Sequence, residues 1–473
     1  MSVRDLRNSI TAILQDSALA QSRVGIKVIS LRTGEVLYEK DSHLLFHPAS
    51  NMKLLTTATA LKRLGPTYRF ETWLAADTSA LADSVLNGNL YLKGFGDPDL
   101  STEDLRWMVR QLRAQGVLKI TGDLVCDESF LDDYHYGKGW MWDDASSRYF
   151  PPIGALTVNQ NCVTVTVRPG AKPGDSLQVA LAPPTSYVKL ENLAVTVDST
   201  DSTRLAEFKV ERKWRERENT IVVSGGLTPE SAPREVVLEI LDPALYSGTL
   251  CTELLAEQHI ALAGEVTRGV LPDTSRLLVE HLSQPLAYLL TRTNKFPYNN
   301  LYAELILKTL GAELEGPPGT ARKGTTEIKR FLSEVGADTT KFALADGSGV
   351  SRYDLLTPAL VVRLLKYMYE DFTVSAEFLA SLPIAGVDGT LQHRMQGTAA
   401  EGKLRAKTGT LRGVSALSGY TTTGDGEPLA FSMMMQHFVV PTARIRAVQD
   451  RIGALLSEFH RRRTIATAGR SRQ

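Results

Sequence analysis

The two ends of this chain read alike and the middle does not. Near the N-terminus, residues 24–31 and 35–40 are rich in β-branched side chains and flank Arg32-Thr33-Gly34, which predicts a β-hairpin. A helical pattern follows, with Met52, Leu55, Ala58, Leu61 and Leu64 near helical spacing until Gly65-Pro66 stops it. From about residue 68 to 285 short β-like runs dominate, among them 162–168, 205–212 and 220–224, separated by turn formers such as Pro169-Gly170 and Pro173-Gly174 and interrupted by one helical stretch, 102–115. After Pro285 helical spacing returns over 286–291, 301–310, 325–335 and 358–369. Strand-like runs then cover 404–407, 413–421 and 429–437, and a last helix covers about 442–459. The economical fold is an α/β (α+β) domain made from residues 1–66 plus 286–473, its hairpin and C-terminal strands sharing one antiparallel sheet flanked by helices. Residues 67–285 are then an inserted β-rich region of a size for one or two further domains, read here as two subdomains.

Charge narrows the function. Lys plus Arg number 53 and Asp plus Glu number 53, so the formal net charge is +0 and the basic excess of a nucleic-acid binder is missing. Cys126, Cys162 and Cys251 fit no zinc or CxxC spacing, and the histidines form no HExxH, so neither metal nor cofactor is expected. Whether any cysteine pair is oxidised stays open. No apolar run approaches the length of a membrane span, so an integral membrane protein is not expected. The first 20 residues lack a basic segment followed by an apolar one, which leaves a cytoplasmic chain or one whose export signal is not part of this sequence. Arg461, Arg462, Arg463, Arg470 and Arg472 form a basic tail, read as a solvated end with binding to an anionic surface as the other reading.

Ser50-Asn51-Met52-Lys53 opens the first helix. At i and i+3 the Lys53 amine shares a face with the Ser50 hydroxyl. A helix N-terminus also offers N–H groups where an oxyanion would form. The bland alternative is a capping serine beside a surface lysine. Ser186-Tyr187-Val188-Lys189 has the same spacing, but it follows Pro183-Pro184 and precedes a β-branched run, so it is read as structural. Lys407-Thr408-Gly409-Thr410 lies in a strand-like context, where an edge strand presents a cation and a hydroxyl to a carboxylate and the glycine admits a close backbone approach. Between them, Tyr298-Asn299-Asn300 precedes a helix.

Ser-x-x-Lys, then x-x-Asn, then Lys-Thr-Gly follow the order of the serine β-lactamases and penicillin-binding proteins, with Tyr298 where serine is usual. Together with residues 47–53, 94–98, 139–144, 346–353, 386–390 and 407–420, the chain resembles the low-molecular-mass class C penicillin-binding proteins, the D-alanyl-D-alanine carboxypeptidases/endopeptidases, over about 25–455. The resemblance implies a β-lactamase/transpeptidase-like catalytic domain with a large insertion. It implies hydrolysis of peptidoglycan stem peptides through a Ser50 acyl-enzyme, acylation by β-lactams, and work outside the cytoplasmic membrane, in the periplasm or its equivalent.

Each site residue then has an expected role. Lys53 takes the Ser50 proton, made neutral by repulsion from Lys407. Asn300 orients Lys53 and meets the substrate amide. Lys407 and Thr408 hold the terminal carboxylate, and the Ser50 and Thr410 N–H groups form the oxyanion hole beside Gly409. Tyr298 either relays a proton or only packs. Trp140 and Asp143 border a pocket for a cationic group, or else are core and solvated residues respectively. Ser348 and Arg352 sit at the rim, and Leu411 lines the side-chain pocket. Two alternatives stand beside this reading: an esterase or β-lactamase-like hydrolase, favoured by Tyr298, and a non-catalytic peptidoglycan-binding relative. Oligomeric state, stem-peptide chemistry and the choice between carboxypeptidase and endopeptidase are not legible.

Overall fold

The computed structural model describes residues 1–77, 81–82, 84–144 and 147–461. Most of the basic tail therefore lies outside the described residues. The first and last strands of the chain meet in one five-stranded antiparallel sheet, ordered β2-β1-β5-β4-β3. These are β1 (Arg23–Ser30), β2 (Val36–Lys40), β3 (Arg405–Leu411), β4 (Val414–Thr422) and β5 (Pro428–Gln436). β1 pairs with β5 in the register Ile26↔Met433 and Val28↔Phe431. The central strands are buried on both faces, so they lack the polar alternation of a half-exposed sheet. Successive residues serve opposite layers. Ala416, Ala430 and Met434 pack with the helices on one side, while Leu417, Phe431 and Met433 pack with those on the other.

The first layer holds α2 (Met52–Arg63) and α3 (Asn300–Glu315), and the second holds α1 (Val3–Ile13) and α4 (Thr442–Glu458). α1 begins with a capping box between Ser2 and Asp5 and buries Leu6 and Ile10. α2 differs in kind. Every residue from Met52 to Leu61 is buried, so it is a core helix rather than an amphipathic surface one. That places Lys53 inside the protein. β3 is an edge strand, which leaves one side of its backbone and Lys407-Thr408-Gly409 open to the space beside α2.

The middle of the chain builds several further sheets. The largest joins Val266–Arg268, Leu124–Asp127, Leu90–Gly94, Glu71–Asp77 and Ser275–Leu282. Two three-stranded sheets follow: Gln178–Ala182 with Cys162–Arg168 and Arg234–Glu239, and Lys189–Asn192 with Thr220–Ser224 and Lys209–Arg212. A buried helix, Pro243–Glu257, packs among them. The expected strand over 205–212 is a short helix, Ser202–Ala206, followed by Lys209–Arg212, because Asp201 caps a turn there. All three cysteines are buried and free.

Candidate active site

The site begins with a strained turn. Ala49 has φ 46°, the left-handed region that L residues occupy at a cost of about 1–2 kcal/mol. This turn, the 3-10 segment Ala49–Asn51, presents half-buried Ser50 at the start of α2. Asn51 fixes it laterally, donating Nδ2 to the Lys407 carbonyl at 2.9 Å. Gly409 explains how closely β3 approaches. A Cβ there would lie 2.7 Å from the Pro48 carbonyl oxygen. The close approach anticipated at this glycine is therefore filled by the protein's own Ser50 turn, and not only by a ligand.

One helical turn after Ser50, the Lys53 amine donates to Ser50 Oγ at 3.0 Å, Asn300 Oδ1 at 2.6 Å and the Ser348 carbonyl at 2.9 Å. Three acceptors around a fully buried ammonium fix its position. Burial pulls its pKa down from the ordinary lysine value to about 8, against the opposing charges of Asp346 and Glu304. Burial leads here, ahead of the Lys407 repulsion expected from the sequence. The same repulsion is felt at the Lys407 amine, which burial, then the Lys53 charge, holds well below its ordinary value. Ser186 and Lys189 are indeed structural. Ser186 Oγ donates to Glu253, and Lys189 sits on a strand beside Glu191.

A buried acid cluster lies under Lys53. Glu304, on α3, accepts the N–H groups of Gly347 and Ser348. Asp346 accepts from the Gly349 and Ser351 N–H groups, both at 2.7 Å, and from Trp140 Nε1 at 2.9 Å. Burial and the Asp346 charge push the Glu304 and Asp354 carboxyls upward. Sequence reasoning assigned these acids no role. The available signal was Asp346 within the 346–353 segment and an acidic residue, Glu304, inside the otherwise apolar stretch 301–307.

A cleft of about 480 Å³ opens above these groups. Ser50, Asn300, Lys407, Thr408, Thr410 and Leu411 line it. Thr408 Oγ1 donates to Thr390 Oγ1 at 2.8 Å, and Thr390 also faces the cleft. The middle of the chain reaches in through Tyr149 and Phe150, and the Tyr149 carbonyl accepts Asn300 Nδ2 at 2.8 Å. Asn300 thus joins Lys53 to the segment that carries Tyr149.

The other expected residues stand elsewhere. Ser348 is fully buried beneath Lys53 rather than at the rim, and acts there through its carbonyl. Arg352 donates to the Arg412 carbonyl at 3.1 Å, next to the β3–β4 turn. Trp140 anchors its loop on Asp346 and is not part of the cleft wall. Asp143 is exposed on the one-turn segment Trp142–Asp144. Tyr298 is half-buried with the Arg148 guanidinium 3.5 Å from its ring centroid, and its hydroxyl makes no hydrogen bond to Ser50, Lys53 or Asn300.

A Ser-x-x-Lys helix start set against a Lys-Thr-Gly edge strand, with an asparagine closing the third side, is the arrangement of the serine penicillin-interacting enzymes. Within that class the chain belongs to the D-Ala-D-Ala carboxypeptidase 3 (S13) family, whose profile matches residues 6–458. It is 38% identical over 469 residues to a D-alanyl-D-alanine carboxypeptidase of Actinomadura sp. (strain R39), covering 96% of this chain and 85% of that one. It is 27% identical to the D-alanyl-D-alanine carboxypeptidase DacB of Haemophilus influenzae, over 87% of this chain and 84% of that one. Its fold matches the crystal structure of penicillin-binding protein 4 (DacB) from H. influenzae with a TM-score of 0.84 at 25% identity, over 95% of this chain and 99% of that one. A second structure of that protein, complexed with a β-lactam, matches with a TM-score of 0.76 at 26% identity, over 94% of this chain and 98% of that one.

Proposed function

We propose that this serine-type D-Ala-D-Ala carboxypeptidase acts on peptidoglycan stem peptides, and is acylated by β-lactams, through Ser50. The observation that carries this is the buried Lys53 amine, 3.0 Å from Ser50 Oγ and with its pKa drawn down to about 8. A neutral amine takes the Ser50 proton as Oγ attacks the penultimate D-Ala carbonyl. The Ser50 and Thr410 N–H groups receive the oxyanion. The C–N bond breaks, and the proton passes from Lys53 to the leaving D-alanine amine. Water then attacks the ester with Lys53 as base, and Ser50 Oγ recovers a proton. Asn300 holds Lys53, and Lys407 with Thr408 faces the substrate carboxylate. Residues 1–66 plus 286–473 form the catalytic domain in this reading, and 67–285 the insertion, in two subdomains. The substrate places the enzyme outside the cytoplasmic membrane, and no helix among the described residues is long and apolar enough to cross one.

The test is mass spectrometry after benzylpenicillin treatment, with D-alanine release measured on an acyl-D-Ala-D-Ala peptide. A penicilloyl adduct on Ser50, lost in Ser50→Ala, together with D-alanine release supports the proposal. An adduct or ester hydrolysis without D-alanine shifts the assignment to an esterase or β-lactamase-like hydrolase. No adduct and no release leaves a binding protein.

Tyr298 receives a packing role here, as the ring under Arg148 that holds the insertion loop against Asn300. Tyr298→Phe keeps ring and stack, so acylation should stay within about twofold of wild type. Tyr298→Ala should slow it about tenfold, as loss of a well-packed cation–π contact predicts. A large loss in the phenylalanine variant, read by the acylation rate, would return the hydroxyl to the proton relay.

A further inference from the structure

The cleft holds a guanidinium that this mechanism does not use. Arg446 lies near the N-terminal end of α4 and donates Nη2 to Thr410 Oγ1 at 3.1 Å, across the edge strand. It lines the same cleft as Ser50, Lys407 and Thr408. No carboxylate pairs with it among the described residues. The nearest acid on its own helix, Asp450, is taken by Arg394, whose Nε and Nη2 lie 2.9 Å and 2.6 Å from Asp450 Oδ1. Arg394 also donates to the Arg446 carbonyl and to Gln449 Oε1, so it is committed to the protein. Arg446 is committed only to the Thr410 hydroxyl.

The cleft wall contains no carboxylate among the described residues, and its cationic side chains are Arg394, Lys407 and Arg446. Its cations differ in availability. Lys407 is fully buried, with its amine turned to the Thr408 carbonyl at 3.3 Å. Arg394 is neutralised by Asp450. Arg446 is exposed at the cleft mouth and, as a guanidinium, keeps its charge across the working pH range. Partial burial and the Arg394 charge work against that proton and Asp450 only partly offsets them, which is the setting an incoming anion relieves.

The geometry points to Arg446 as a specificity residue that, with Thr410, draws in and orients the free carboxylate of the substrate or β-lactam. This rests on the Ser50 acyl-enzyme reading above and adds to it the cation that reads the carboxylate. Thr410 Oγ1 already accepts from Arg446, so its hydroxyl proton is free to point at the same carboxylate oxygen.

The experiment compares two acyl donors on wild type, Arg446→Gln and Arg446→Lys. One is benzylpenicillin, which carries a carboxylate. The other is a small thioester whose leaving group carries none. In Arg446→Gln, acylation of Ser50 by benzylpenicillin should fall about tenfold and lose most of its salt dependence, while thioester acylation stays within about twofold. Arg446→Lys should recover part of the benzylpenicillin rate. Equal losses on both donors, or no loss on either, would overturn the Arg446 assignment alone. A wild-type protein that forms no Ser50 adduct with either donor would overturn the acyl-enzyme reading and this one with it.

Discussion

Lys53→Met should slow acylation of Ser50 by about a thousandfold, within the range that a positioned general base contributes. Methionine matches the length of the lysine stem, so the helix and its packing survive. What disappears is the amine between Ser50 Oγ, Asn300 Oδ1 and the Ser348 carbonyl. The two buried acceptors, Asn300 Oδ1 and the Ser348 carbonyl, are left without a donor, at about 1–3 kcal/mol each, while the desolvation of a buried ammonium is relieved. The two effects oppose each other, so stability should change far less than rate. The pH profile gives the sharper signature. Only neutral Lys53 accepts the Ser50 proton, and its pKa is about 8. Wild-type acylation should therefore rise about tenfold per pH unit below about 8 and level off above it. Lys53→Met should show a flat profile at its residual rate. Stopped-flow acylation across pH 6–9.5 reads both. A wild-type rate independent of pH in that range would mean that some other group takes the proton.

The fold was legible where chemistry and periodicity agreed. The hairpin, the core helix after Ser50 and the three C-terminal strands all stood out, because buried apolar runs bounded by glycine and proline leave few alternatives. The strands Cys162–Arg168 and Thr220–Ser224 were readable for the same reason. Helix Pro243–Glu257 was not, although Asp242 and Pro243 mark its start. It is apolar nearly all round, so it has no helical stripe to detect. α1 went unread despite its Ser2–Asp5 box, because a short polar start looks like a frayed end until its Leu6 and Ile10 partners are in place.

The same distinction governs the site. Ser50, Lys53, Asn300 and Lys407 were visible as motifs, since each is needed at a fixed spacing from a helix start or strand. The cause of the Lys53 shift was not visible, because burial belongs to the assembled core and no spacing encodes it. Nor was the placement of Tyr298, which depends on Arg148 arriving from the middle of the chain, far away in sequence. Arg446 sits in an ordinary-looking C-terminal helix and becomes notable only once α4 packs beside β3.

Asp346 should be the most sensitive position outside the reacting groups. It is fully buried and receives the Gly349 and Ser351 N–H groups, Trp140 Nε1 and the Ser348 hydroxyl. These bonds shape the loop that delivers the Ser348 carbonyl to Lys53, and they seat Gly349, at φ 81°, against the Ala49 carbonyl behind Ser50. Asp346→Ala orphans all four donors, and at about 1–3 kcal/mol for each the variant should not accumulate as folded protein. Asp346→Asn is the informative variant. Its single oxygen keeps part of the set, so a folded protein about 3 kcal/mol less stable is expected by denaturant titration. The sign of its pH effect follows from the charges. The negative Asp346 favours protonated Lys53 and so raises its pKa against burial. Removing that charge lowers the Lys53 pKa further, and the rising limb of the acylation profile should move to lower pH. At pH 6 the surviving Asp346→Asn molecules should carry a larger fraction of neutral Lys53 than wild type, even though their maximal rate is lower. A profile that keeps its midpoint while only its height falls would show that Asp346 shapes the loop without setting the charge on Lys53.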